Sequence, residues 1–435
     1  MNRFRPFVAA LLLLVVAGAA SAAERIPAHP RDLTFGPLAF EVPDPAAYRH
    51  DLPGGGTAFV VEDHALPLVR IALTLRTGGF LEAPGEEGLA GLTATMLRRG
   101  GAGELSAEAF DERLDFLATN LSVMAGPTST TVMLDCLSPR LDESLDLLFA
   151  MLTAPRFDAE RLAVEKGNVR EQLARRNDDA AEILQREWSW LLYGPAHPAA
   201  RQMTAAGLEA LGRDALVRFH RATYRPAHLI AAVAGDVEAA SVLASLARRL
   251  AAWKADGPEI PWPPAAPEPR AEPGLYRVEK EIPQGKVVIG QLGVRWERWD
   301  DPGRYALMVM NEILGGDFTS RITQRVRSDE GLAYSAGSSY DIGIFWPGSF
   351  TISYESKSAT VALAAKISLE EIARIRTEEV SEAELRQAKS SFIDSFPRRF
   401  ETPFLIARTF ANDVLIDRPH TYWRDYRDRI RAVDA

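Results

Sequence analysis

The 435-residue sequence is poor in the side chains that most often carry catalytic chemistry. It contains one cysteine, Cys136, so no internal disulfide can form and an oxidising compartment is tolerated rather than used. Cys136 lies in the alternating segment T-V-M-L-D-C-L, which is typical of a strand, and we interpret it as a small core residue. No G-x-S-x-G elbow or Cys/His pairing supports a metal-independent hydrolase.

Histidine is also sparse, and its spacing argues against a zinc site. A catalytic zinc needs three protein ligands and an open position for water, and two histidines four apart on a helix can share one ion. No two histidines of this chain are four residues apart, so a site built from them would need distant residues that no spacing supports. The seven are His29, His50, His64, His197, His220, His228 and His420.

The chain lacks both an excess of basic residues and long apolar runs. Its formal net charge of -9 argues against nucleic acid as a partner, because phosphate binding needs a basic face. The one apolar run, residues 8–20, follows Arg3 and Arg5 and precedes S-A-A. This pattern predicts a signal peptide over residues 1–23, export to the periplasm and no membrane span after cleavage. The alternative is an uncleaved anchor.

The length predicts at least two domains, and a proline-rich segment marks the boundary. Residues 256–273, D-G-P-E-I-P-W-P-P-A-A-P-E-P-R-A-E-P, are typical of an extended, semi-rigid linker. We therefore predict an N-terminal domain over residues 24–255 and a C-terminal domain over residues 274–435. The second ends near the start of a helix, so either the sequence is truncated or this domain lacks its last elements.

The order of predicted elements is similar in the two halves. Strands alternate with amphipathic helices, which predicts an α+β fold of two homologous αβ domains, each a mixed or antiparallel sheet covered by helices. Predicted strands cover residues 57–62, 68–75, 121–124, 130–137, 229–234, 286–293, 334–340 and 348–356. The main predicted helices cover residues 89–97, 106–117, 141–152, 159–176, 305–314, 319–328, 359–376 and 382–396.

The helix at residues 89–97 carries the most informative motif. Its frame, G-L-A-G-L-T-A-T-M-L, resembles the zinc helix of the pitrilysin-like metallopeptidases, the inverzincins, in which G-L-A-H-x-x-E-H-M-L holds two zinc ligands and a catalytic glutamate. Gly91, Ala94 and Thr95 stand where His, Glu and His would stand. The resemblance implies a degenerate motif and no zinc bound by this chain. Glu171, 76 residues after Thr95, fits the third ligand's place, or is a solvated or ion-paired helix residue.

Further stretches extend the resemblance over most of the chain, and imply a member of the two-domain bacterial branch. They are G-G-G-T-A-F-V-V-E-D, Y-G-P-A-H-P, F-H-R-A-T-Y-R-P-A-H-L-I-A-A-V-A-G-D-V and R-V-R-S-D-E-G-L-A-Y-S-A-G-S-S-Y. Within Y-G-P-A-H-P, we interpret His197 as a loop-packing residue rather than a ligand.

The last stretch contains Arg327 and Tyr334, seven residues apart across a predicted helix end and turn. If the helix ends near Ser328 and a strand begins near Leu332, the two side chains converge. The resemblance implies that this pair holds the substrate backbone and polarises the scissile carbonyl, since guanidinium and phenol groups donate hydrogen bonds to an oxygen that gains charge. The alternative is an arginine in a surface ion pair beside a half-buried tyrosine.

The resemblance therefore implies half of an active site. We expect a non-zinc subunit of a heterodimeric metallopeptidase, whose homologous partner carries zinc and cleaves unfolded peptides. We expect substrate to add as a strand to a sheet edge, with residues 68–75 as one candidate edge. The alternatives are a non-catalytic peptide-binding, chaperone-like protein and a structural subunit of an envelope complex.

Overall fold

The computed structural model describes residues 29, 32–34, 39–255, 259–269 and 271–435. The predicted signal peptide, residues 1–23, lies outside them. Among the described residues, no helix has both the length and the apolar character that crossing a membrane requires. Residues Val42–Ala435 form one compact unit that contains two β-sheets.

The first sheet contains six strands: β1 (Arg49–Leu52), β2 (Gly56–Glu62), β3 (Leu68–Leu75), β4 (Asn120–Ala125), β5 (Thr130–Leu137) and β6 (Ile230–Gly235). Their spatial order is β1-β2-β6-β3-β5-β4. Strand β6 pairs parallel with β2 and antiparallel with β3, and the other neighbours are antiparallel. Nearly every residue of β2 and β6 is buried, so both faces of the sheet are covered there.

The first half also contributes eight of the described α-helices. The helices are α1 (Leu89–Arg99), α2 (Ala107–Phe116), α3 (Leu141–Thr153), α4 (Ala159–Arg175), α5 (Ala180–Tyr193), α6 (Ala205–Ala210), α7 (Arg213–Thr223) and α8 (Ala239–Ala252). Four of them begin with a side-chain N-cap: α2, α4, α5 and α6. At one of them the Ser106 hydroxyl accepts a hydrogen bond from the backbone N–H of Ala109 at 3.2 Å, as its position before an apolar repeat predicts.

The second sheet is smaller and has the order β7-β9-β8, antiparallel throughout. Its strands are β7 (Gln284–Leu292), β8 (Ala333–Tyr340) and β9 (Ser349–Lys357). Two π-helical segments, Glu312–Gly316 and Thr323–Asp329, precede β8, where the sequence predicts α-helix. The helices of this half are α9 (Pro302–Asn311), α10 (Val361–Thr377), α11 (Glu382–Ser395), α12 (Pro403–Leu415) and α13 (Tyr422–Arg431).

The two sheets share a core topology. The order β3-β5-β4 in the first recurs as β7-β9-β8 in the second, with helices between the first and second strand of each set. This repeat confirms the prediction of two related α+β halves. In the described part of the chain, the second sheet has no counterpart of β1, β2 and β6. The boundaries placed at residues 255 and 274 stay predictions.

One helix of each half packs against the sheet of the other half. Helix α5 of the first half packs against β7 of the second, and the Tyr193 hydroxyl donates a hydrogen bond to the Pro347 carbonyl at 3.0 Å. In return, α12 packs against β2 and β6 of the first sheet. The ring of Phe410 lies 5.8 Å from that of Phe59, centroid to centroid. Each half therefore covers part of the other's sheet.

The prediction that residues 68–75 form a peptide-docking sheet edge is wrong. The segment Leu68–Leu75 is not a sheet edge, because β3 pairs with β5 on one side and with β6 on the other. The edges of the first sheet are β1 and β4. Periodicity along a chain does not show which strands lie at the edge, since strand order is set by tertiary pairing.

Candidate active site

Helix α1 is held rigidly at the middle of the first half. It begins after Gly88, whose φ of 91° lies in the left-handed region that glycine tolerates best. The buried carboxylate of Glu82 accepts a hydrogen bond from the backbone N–H of Ala90 at 2.8 Å, so it caps the positive end of the helix. Burial raises the pKa of Glu82, although the helix N–H groups oppose that rise. Leu89 and Met96 are fully buried in the core.

The three degenerate motif positions carry no metal-binding side chain. Gly91 is exposed, and a Cβ placed there would meet no heavy atom within 4 Å. Ala94 is 2% exposed, and the Thr95 hydroxyl donates a hydrogen bond to the Gly91 carbonyl at 3.1 Å. Across the described residues, no group of three or more His, Cys, Asp or Glu side chains could hold a metal ion. The helix has the frame of a zinc helix, but its residues do not fit zinc.

Glu171 lies on α4 and pairs with the cation four residues along the same helix. Its carboxylate is 2.6 Å from the Arg175 guanidinium, and its side chain is 60% exposed. This is the ion-paired alternative rather than a ligand held for a metal. The buried carboxylate of α4 is instead Glu165, which the guanidinium of Arg99 on α1 contacts at 3.2 Å. A charged pair thus links α4 to α1 near the degenerate motif.

Arg327 and Tyr334 converge. Arg327 lies in the second π-helical segment, and Gly331 takes a φ of 61° in the turn that follows. The N–H of Leu332 donates to the Val326 carbonyl at 2.9 Å and closes that turn. The guanidinium carbon of Arg327 then lies over the Tyr334 ring, 5.4 Å from its centroid. The turn therefore brings together the two residues that their sequence spacing alone could not join.

No other group among the described residues uses the donors of this pair. Two nearby arginines are neutralised: Arg321 pairs with Glu384 at 2.6 Å, and Arg325 with Glu371 at 2.9 Å. By contrast, Arg327 makes no ion pair or hydrogen bond to any described residue, and Tyr334 is 86% exposed. Tyr334 is therefore not the half-buried tyrosine of the structural alternative, and both polar groups are available to a ligand.

Phe318 is a third member of this cluster that the sequence analysis missed. Its ring lies under the Arg327 guanidinium, with 4.2 Å between the guanidinium carbon and the ring centroid. The ring is 63% exposed. The guanidinium therefore lies close to two exposed aromatic rings, a geometry that favours a cation. A large apolar residue directly after the loop G-G-D was the available signal.

Two other residues singled out in the sequence prove structural. His197 is fully buried, stacked on Tyr193 at 4.8 Å and perpendicular to Trp346 at 5.0 Å, and burial lowers its pKa. It packs a junction between the halves, as predicted for that loop. Cys136 is buried in β5, where burial raises the pKa of its thiol to about 11. Such a thiol is a poor nucleophile, which confirms its core role.

Strand β4 presents a free edge beside the degenerate helix. Among the described residues it pairs with β5 alone, and it packs against α1. The Arg98 guanidinium of α1 donates to the Leu121 carbonyl of β4 at 2.7 Å and to the Asp111 carboxylate at 2.5 Å. Met124 on the same strand is 76% exposed. An exposed edge can accept a further strand through backbone hydrogen bonds.

Comparison with known proteins agrees with this geometry. The family "Insulinase (Peptidase family M16)" matches residues 58–193, and "Peptidase M16 inactive domain" matches residues 210–392. An uncharacterized zinc protease of Streptomyces coelicolor is 27% identical over 353 residues, 78% of this chain and 74% of the relative. A protein named a non-peptidase homolog in Helicobacter pylori is 26% identical over 349 residues, 78% of each chain.

A solved structure has the same fold. It is described as a peptidase M16 inactive domain from Pseudomonas fluorescens, and it aligns with a TM-score of 0.78 over 88% of this chain and 92% of its own. The identity is 21%, so this likeness shows the fold alone. Together with the two family matches and the inverzincin-like frame of α1, it identifies the scaffold. The chain belongs to the peptidase M16 family.

Proposed function

We propose that this chain is the non-zinc subunit of a two-subunit zinc metallopeptidase. The observation that carries the proposal is Arg327, which makes no ion pair or hydrogen bond to the described residues and lies over the ring of the exposed Tyr334. A guanidinium held by stacking, with its N–H donors unused by the described residues, and an exposed phenol beside it are both able to bind a ligand. The degenerate positions on α1 support a division of labour, since this chain supplies no metal ligands there.

The pair acts by donating hydrogen bonds to a peptide carbonyl. The guanidinium presents several N–H donors in one plane, and the phenol presents one O–H donor. Both gain strength as negative charge develops on the carbonyl oxygen, so they stabilise the transition state more than the bound peptide. The homologous partner, with an intact H-x-x-E-H motif, supplies the zinc-activated water and a glutamate base.

We expect the substrate to be an unfolded peptide that binds in an extended form. The edge of β4 replaces residues 68–75 as our candidate for strand addition, since it has no second strand neighbour in the described chain and only its Leu121 carbonyl is bonded to a side chain, that of Arg98. It lies against α1, the helix that corresponds to the zinc helix of active relatives. We also propose that residues 1–23 direct the protein to the periplasm, where unfolded peptides would reach it.

The test is reconstitution with a homologous chain that carries H-x-x-E-H and is encoded by a neighbouring gene. Hydrolysis of a quenched fluorescent peptide would be measured for each chain alone and for the mixture, with and without a chelator. We expect activity from the mixture, loss with chelator, and little or none from this chain alone. A stable complex without activity would favour a binding or structural subunit. Chelator-sensitive activity of this chain alone would contradict the proposal.

A further inference from the structure

The loop that carries Phe318 is fixed although the ring is exposed. The backbone N–H of Phe318 and the Thr319 hydroxyl each donate to the Asp317 carboxylate at 2.7 Å. The side-chain amide of Gln324 donates to the Phe318 carbonyl at 3.2 Å. These bonds order the loop on both sides of Phe318. An exposed aromatic ring on an ordered backbone pays little further entropy when a ligand covers it.

Gly315, in the π-helical segment just before this loop, anchors the loop to the sheet. A Cβ placed on Gly315 would lie 2.3 Å from the backbone nitrogen of Ser338 in β8, so only glycine allows the chain to approach so closely. The Asn311 carboxamide oxygen also accepts from the Ser338 hydroxyl at 2.8 Å. Strand β8 also carries Tyr334, so the same strand holds one ring near Arg327 and anchors the segment before the other.

We propose that Phe318 is a positioning and specificity-determining residue of the Arg327/Tyr334 site. Its ring holds the Arg327 guanidinium against Tyr334, and its uncovered area receives a large apolar side chain of the bound peptide next to the held carbonyl. This inference rests on the proposed function, because it requires that Arg327 and Tyr334 bind a peptide backbone. It adds the chemical class of the neighbouring substrate residue, aromatic or large aliphatic.

Charge supports the same class of side chain. The Arg327 guanidinium lies on the aromatic faces, and no carboxylate of the described residues pairs with it. Its N–H groups donate within the guanidinium plane, where a backbone oxygen of a bound peptide would accept them. The ring of Phe318 offers an apolar surface with no donor, so it gains from covering hydrocarbon and gains nothing from a polar side chain.

The test is peptide binding to the full chain by fluorescence anisotropy. The probes are fluorescein-labelled nonapeptides of glycine, serine and glutamine that differ at one central residue: phenylalanine, leucine, glycine or aspartate. We expect the phenylalanine peptide to bind about ten-fold more tightly than the glycine peptide, the gain from covering part of one ring. Phe318→Ala should remove this preference, and Phe318→Trp should retain it.

A matched control is available in the first half. Phe116 is 69% exposed and also lies against an arginine, Arg113, 5.1 Å from its ring centroid. That arginine is paired with the Glu143 carboxylate, so it has no free charge to offer a ligand. Phe116→Ala should leave every peptide affinity unchanged. Since both phenylalanines are largely exposed, both variants should fold, which circular dichroism would verify.

The outcomes separate this inference from the proposed function. Arg327→Ala should weaken all four peptides alike, because it removes the backbone contact. If it does so while Phe318→Ala leaves the preference for phenylalanine intact, the role of Phe318 is refuted and the proposed function stands. If the four peptides bind equally to the unaltered chain, the inference also fails. If no peptide binds and Arg327→Ala changes nothing, both fail.

Discussion

Helix α12 of the second half packs on the first sheet, and the loss of one of its side chains, Phe410, should lower the free energy of unfolding by a predictable amount. Phe410 is 1% exposed, and its ring lies 5.8 Å from Phe59 on β2, 5.8 Å from Phe400 and 6.5 Å from Tyr48. Phe410→Ala removes these contacts and leaves a cavity between the two halves. Such buried truncations cost about 3–5 kcal/mol of unfolding free energy.

We expect the upper part of that range. The rings around Phe410 belong to a β-strand, a short helix and the segment before β1, which cannot collapse together into the cavity. Each aromatic pair also contributes about 0.5–1.5 kcal/mol beyond its buried area. A loss of about 4 kcal/mol is a large share of the roughly 5–15 kcal/mol typical of folded proteins.

Urea unfolding followed by circular dichroism measures this loss as a lower midpoint. Phe404→Ala is the matched control: it lies on the same helix, is partly exposed and has Arg70 5.2 Å from its ring centroid. We expect about 1 kcal/mol or less for that control, as for partly exposed sites. Equal losses for Phe404→Ala and Phe410→Ala would refute the packing of α12 on the first sheet.

Two further predictions concern an ion pair and the degenerate motif. The Arg321 guanidinium lowers the pKa of Glu384 to about 2, so the pair should stabilise the fold above about pH 4.5 and lose that effect as the pH falls through 2. Glu384→Gln keeps the cap of α11 and should lower the free energy of unfolding by roughly 2 kcal/mol at pH 7, after allowance for solvent screening. Near pH 2 the loss measured by urea titration should be much smaller. An equal loss at both pH values would contradict the pairing. Gly91→His combined with Thr95→His places two imidazoles four residues apart on α1 and should give zinc binding measurable by calorimetry. Thr95→His alone is the control and should not bind zinc. If the double variant binds none, this face of α1 is not accessible to a metal ion.

Local patterns predicted most of the strands and helices. The observed bounds of β3 and β5, Leu68–Leu75 and Thr130–Leu137, are those the alternating sequence predicts. Helix α1 ends two residues later than predicted, with Arg99 still helical and Gly100 as its C-cap. These features depend on neighbours in sequence, which is why a pattern predicts them.

The features that sequence patterns did not predict depend on tertiary contacts. The edge position of β4 and the central position of β3 follow from pairing across the sheet. Helices α5 and α12 pack on the opposite half, so their apolar faces match partners distant in sequence. In the proline-rich linker, the ring centroid of Trp262 lies 5.0 Å from that of Phe345 and 6.4 Å from that of Phe80. Amino-acid composition cannot predict such contacts.

At the site, sequence spacing left open whether Arg327 and Tyr334 meet. The turn at Gly331, which the sequence predicts, and the π-helical segment before it, which the sequence does not predict, bring them together. Phe318 joins the cluster because the π-helical segment before it is held against β8 at Gly315, a contact between segments more than 20 residues apart. Residues that belong to a motif can thus be predicted from the sequence, while the residues that position them are known only from the fold.

The most direct test of the account is the turnover number of the reconstituted mixture with Arg327→Ala. Removing one donor to a developing oxyanion lowers kcat by about 10²–10³-fold, and we predict a loss of that size with the complex still formed. Arg376→Ala, at an exposed arginine of α10, is the control and should leave kcat unchanged. A mixture in which Arg327→Ala and Arg376→Ala turn over equally would contradict the claim that this chain completes its partner's active site.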